Sequence, residues 1–396
     1  MDDFFTEVQQ NRLNKINKKK LIILVSIILL IILIITTIII YMNNKTVRNW
    51  IDKNILQKQK KQNSLQSIEI EEVENSNIYA FNKYIGVLNK NNFQIYDNTG
   101  KLENEMTIEV TKPIFHTSNR YLIIAEEKGQ KLYLIVDNNI LWEKEIEGNI
   151  SQVIVNKNGY VAVSVVDTGY KTIVEVYNYK GEHLFNTYSA STRIVATSIS
   201  DDNKYLALAE IDTSGTLIQS NVKIISIEAG KNDPHNSIIK TYNGENNDLI
   251  INIKYQEKDK LLCMYTNKIT LIKSDGTVDL LHDYTDKKVS FASIKLSNSS
   301  LTIEEKSSGL FTADSVVNIM NSDNRNISQY IAEAVTKEIY TTNNIIALNL
   351  GTEVDFINTS GWLVKKYMAE QEITSIVLSN SVAGIIYRDK IEIMNL

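Results

Sequence analysis

Cysteine occurs once, at Cys263, so no disulfide can form within the chain, and a domain of this size must rest on its apolar core. Proline occurs twice and glycine fifteen times in 396 residues, which leaves little room for disordered linkers. Histidine occurs four times, at His116, His183, His235 and His282, with no HxH or HExxH spacing, and a lone cysteine permits no CxxC. GxSxG, P-loop and Rossmann glycine patterns are also missing. The Asp201-Asp202-Asn203 cluster lacks the alternating ligands and the distal Glu of a calcium loop and reads as an Asx-type turn. No catalytic, cofactor-binding or metal-binding residue is therefore assigned, and no cofactor is expected.

What the chain does contain begins with an uncharged run from Leu21 to Met42, LIILVSIILLIILIITTIIIYM. As a helix it would reach about 33 Å, enough to cross a hydrocarbon core of about 30 Å. The run exceeds the apolar region of a signal peptide, and no small-x-small cleavage site follows it. It is expected to be an uncleaved transmembrane signal anchor, with the lipid bilayer as partner of residues 21–42. Arg12, Lys15 and Lys18 to Lys20 precede it, against Lys45, Arg48 and Lys53 just after it. That bias places residues 1–20 in the cytoplasm and everything after the span outside. Residues 43–65 read as a juxtamembrane tether, in which Val47, Trp50, Ile51 and Ile55 share one face of a short interfacial helix.

Charge divides along the same line. Residues 1–65 hold eleven Lys/Arg against four Asp/Glu (+7), and residues 66–396 hold 31 against 43 (−12). An acidic domain argues against nucleic acid as its partner, whereas the basic juxtamembrane parts suit lipid headgroups.

Beyond residue 65 one pattern recurs: an alternating strand, a polar turn and a second apolar strand. It appears at 77–88, 113–126, 152–165, 194–209, 251–265, 293–305, 339–350 and 375–387. Each copy but the last is followed by a third strand and, in four of those seven, a turn ending in glycine (Gly100, Gly181, Gly276, Gly361), where a tight hairpin needs positive φ. A fourth strand follows, as in LWEKEIE (141–147) and WLVKKYM (362–368). Strand-only units of roughly 40 residues signal a β-propeller. No stretch here shows a helical period. The expected domain, 66–396, is all-β with eight four-stranded blades, or seven if the weakly patterned region 298–324 is irregular. The last copy ends at Leu396 after three strands, and QSIEIEEV (66–73) is expected to supply the fourth and close the ring.

SISDDNKYLALA (198–209) resembles the S-x-D-G-K-Y-L/I-A turn of WD40-like and TolB-like propeller repeats. The Trp142 and Trp362 strands resemble those of pyrroloquinoline-quinone-type eight-bladed propellers. One membrane helix before such a propeller, in an Ile/Asn/Lys-rich chain, resembles an uncharacterised family of clostridial membrane-anchored proteins. The resemblance implies the fold and no activity. The WD dipeptide is missing, Asn203 stands where the turn glycine would be, and no vicinal cysteine pair is present, so the quinone cofactor is not implied.

Two functions from different classes fit. The first is a binding scaffold, tethered to the outer face of the membrane, that holds an envelope protein or a cell-wall component. The alternative is an enzyme acting on a glycan or small molecule at a central-channel site assembled from residues far apart in sequence. For the scaffold, the long second-to-third strand connections at 212–221 and 306–315 offer the binding residues: Leu217 and Ile218 on one, Leu310 and Phe311 on the other.

Overall fold

The computed structural model describes residues 23–31, 33, 35–36, 66–70, 77–246, 248–309 and 313–396. The chain divides into two units, Met1–Lys60 and Lys61–Leu396. In the first, residues 23–31, 33, 35 and 36 are helical. The rest of the 21–42 span, the 1–20 segment and the 43–65 tether with Trp50 lie outside the described residues. Among the described residues, no helix is long and apolar enough to cross a membrane.

The second unit is an eight-bladed propeller. Its strands form eight antiparallel four-stranded sheets, seven of them built from consecutive strands. Blade 1 shows the plan, with strands Ile78–Phe81, Tyr84–Asn89, Asn92–Tyr96 and Leu102–Thr107 in spatial order. The eighth sheet joins Ser375–Leu378, Val382–Ile386 and Lys390–Asn395 to Gln66–Glu69 from the start of the domain, so the ring closes as the sequence requires.

Burial follows position within the blade. Second strands such as Tyr121–Glu126 and Val161–Asp167 are almost wholly buried, because both their faces pack against neighbouring blades. Fourth strands such as Asn139–Glu145 alternate, with one face wet. The core consists of apolar clusters shared by adjacent blades. Ile123 and Leu134 of blade 2 pack with Val163 and Ile173 of blade 3, and Ile391 and Val382 of blade 8 pack with Ile78 and Ile85 of blade 1. Each fully buried aliphatic side chain contributes about 1.5–3 kcal/mol, so the ring is held mainly by these inter-blade seams.

The turn at Ser200–Lys204 couples a hairpin to its neighbour. Ser200 Oγ accepts the N–H groups of Lys204 (3.1 Å) and Tyr205 (3.0 Å) and donates to Asp202 (2.8 Å). Asn203 sits at φ 61°, a region Asn tolerates better than most residues. From blade 3, Asn156 Nδ2 donates to the Ser200 carbonyl (3.0 Å) and to Asn203 Oδ1 (2.6 Å). The missing glycine is thus replaced by a residue whose side chain binds the preceding blade. At Gly181 (φ 79°) a Cβ would lie 3.0 Å from the Trp142 ring, so both the turn and the packing demand glycine.

Two expectations need correction. The first strand of blade 6 is Val289–Ser293, upstream of the 293–305 copy, because Ser293 Oγ takes the Lys295 N–H at 3.2 Å and the ladder ends there. The domain also contains a helix, Ile227–Asn232 in blade 4, started by Ser226 accepting the Ala229 N–H at 3.2 Å. Six residues are too few to display a 3.6-residue period.

Candidate functional site

Two features stand out from this frame: a hairpin tip and the central channel. In blade 4 the ladder of Tyr205–Asp212 with Gln219–Ser226 runs up to the Asp212–Gln219 pair, leaving 213–218 as an exposed tip. Leu217 and Ile218 are 48% and 42% exposed, so they do not pack down on their own blade. The corresponding connection in blade 6 follows Ser299–Ser307 and precedes Ala313–Asn321. Leu310 and Phe311, the other two expected binding residues, lie outside the described residues. In blade 5, between Lys260–Tyr265 and Lys268–Ile272, only Thr266 and Asn267 intervene.

The first strands of all eight blades line one channel of about 900 Å³. Its charged lining residues among the described ones are Lys157, Lys254, Lys295 and a single carboxylate, Asp201. Lys157 and Asp201 pair with each other at 2.7 Å. Lys254, on Ile250–Gln256 of blade 5, donates its ammonium to the carbonyls of Lys295 and Leu296 in blade 6, the latter at 3.1 Å. Neither Lys254 nor Lys295 pairs with a carboxylate among the described residues. The acidic domain therefore encloses a cationic lumen.

Confinement perturbs these groups. Burial pushes the Lys254 ammonium down to about 8; the Asp201 carboxylate opposes the shift and the Lys295 charge adds to it. Lys295 is reachable from the lumen yet crowded by protein, and that crowding holds its ammonium below the usual lysine range. His116 is pushed down to about 4, first by burial and then by the charges of Lys295 and Lys254. Its Nδ1 accepts the Val155 N–H at 3.2 Å, so the neutral ring ties blade 2 to blade 3. Ser198 makes the equivalent link, accepting the Tyr255 N–H at 2.9 Å. Burial and a hydrogen bond to Glu338 push the Tyr340 phenol, another lining group, up to about 12. The other histidines are dispersed, and among the described residues no three His, Cys, Asp or Glu side chains are grouped to hold a metal ion.

The two channel lysines escaped the motif reading. The signal was present as an Ile-Lys pair repeated in consecutive copies, Ile253-Lys254 and Ile294-Lys295, the two lysines 41 residues apart. Lys254 lies on the inner strand of blade 5 and Lys295 just past the end of the inner strand of blade 6, and only the side-by-side placement of the two blades makes them neighbours.

The chain belongs to a family of unknown function (DUF5711), whose model matches residues 55–396. No curated protein is significantly similar to the sequence. Similar solved structures include the dihydro-heme d1 dehydrogenase NirN in complex with DHE, with a TM-score of 0.53 at 9% identity over 83% of this chain and 75% of that one. The Dos1 propeller gives 0.50 at 12% identity over 74% of this chain and 80% of its own. AztD of Citrobacter koseri gives 0.47 at 10% identity over 75% and 87%. These likenesses concern the fold alone.

Proposed function

We propose that this member of the DUF5711 family is a membrane-anchored, extracytoplasmic propeller that acts as a scaffold, holding a protein of the cell envelope or a cell-wall component. The observation that carries the reading is the blade 4 hairpin, whose tip at 213–218 is longer than the two-residue connection of blade 5 and presents Leu217 and Ile218 to solvent. Apolar side chains at the tip of a projecting hairpin cost solvation, and contact with a partner recovers it. Leu310 and Phe311, read from the sequence as the second apolar pair, complete the proposed set. The uncharged run 21–42 behind Lys18–Lys20 supports the anchor and its orientation.

The test uses the full chain in cells. Protease added to intact protoplasts should remove the propeller; full protection would place it in the cytoplasm. Partner recovery after cross-linking should then be lost in a Leu217→Ser, Ile218→Ser variant whose melting temperature is unchanged. Unchanged recovery would show that the tip is not the docking surface.

A further inference from the structure

We propose that the central channel is a binding site for a small anionic molecule carrying a phosphate monoester or a pair of carboxylates, held between Lys254 and Lys295. This goes beyond the scaffold reading and does not depend on it. A volume of about 900 Å³ lies in the range of small-molecule sites. Within it, two ammonium groups from adjacent blades face one lumen with no ion pair to a carboxylate among the described residues, the one lining carboxylate, Asp201, being paired with Lys157. Lys254 has only neutral carbonyl acceptors, which satisfy its N–H groups but not its charge. Enclosed unpaired charges are costly, and a protein with twelve excess acidic residues in this domain has ample means to pair them, as it does for Lys157 with Asp201. A bound dianion would supply the missing charge and favour the protonated form of both lysines, against the burial that now pushes them down.

The surroundings suit an oxyanion. Ser293 and Thr341 hydroxyls, 2.7 Å apart, lie on the same wall, and Asn252 and Ser375 add further donors to the lining. Tyr340 donates to Glu338 and lies 3.1 Å from Ser375 Oγ, so its phenol is engaged at the wall. Lysine presents a point charge, which accepts phosphate or carboxylate without demanding bidentate geometry.

The experiment is equilibrium dialysis of the full chain in detergent micelles against radiolabelled inorganic phosphate and, separately, succinate, which distinguishes the two ligand types. One saturable site per chain is expected for at least one anion. Lys254→Met and Lys295→Met should each weaken it about tenfold, while Lys180→Met, at an exposed surface position, leaves it unchanged. Lys295→Met does not touch the Lys254 bonds, so it remains informative if loss of Lys254 disturbs the fold. Non-saturable uptake of both anions by the native chain, or saturable uptake that survives loss of Lys295, would overturn the proposal.

Discussion

Ile68 lies directly opposite Ile391 in an antiparallel register, so the first strand of the propeller is the outermost strand of its last blade. Ser379 Oγ reinforces the closure on the inner side by donating 2.6 Å to the carbonyl of Asn82 in blade 1. The ring is therefore sealed twice, once by a ladder and once by a seam of apolar packing that includes Ile68, Ile78 and Ile391.

A chain beginning at Asn75 loses the Gln66–Glu69 strand and exposes the Lys390–Asn395 edge. Loss of the Ile68 burial and the ladder bonds should cost about 3 kcal/mol and promote edge-to-edge association. Calorimetry with light scattering reads both effects. A melting temperature equal to that of a chain beginning at Leu65 would refute closure as a source of stability.

At Asn203, two demands separate by substitution. Asn203→Ala removes the acceptor for Asn156 and leaves a Cβ residue at φ 61°, for an expected loss of about 2 kcal/mol. Asn203→Gly removes the acceptor alone and should cost about half as much. Equal losses in denaturant titrations would mean that the backbone conformation carries no penalty.

The pH profile follows from two histidines. Burial pushes His116 and His282 down to about 4 from their ordinary value of 6.5. His282 is 8% exposed and its Nε2 has no hydrogen-bond partner. The unfolded chain binds these protons more readily, so their contribution to stability is complete above pH 6.5 and is lost as pH falls toward 4. Thermal melts should decline across that window, and His282→Gln should reduce the slope. A native profile that is flat down to pH 4 would contradict the burial of both rings.

Much of the fold was legible along the chain because its determinants are local. The alternation of the repeats, the hairpin glycines at Gly100, Gly181, Gly276 and Gly361, and the spare strand at Gln66–Glu69 each follow from backbone sterics or from edge pairing. The sequence alone therefore determined an all-β ring of about eight four-stranded blades. Tertiary structure decided the rest. Ser293 ended a ladder early by binding the Lys295 N–H, a short helix formed where Ser226 could cap it, and Asn203 replaced a glycine because Asn156 of the preceding blade binds its side chain. Above all, Lys254 and Lys295 became neighbours over a shared lumen only because consecutive blades stand side by side. Periodicity along a strand specifies which face a side chain takes; the distance between two such faces, and the field inside them, is set by the closed ring.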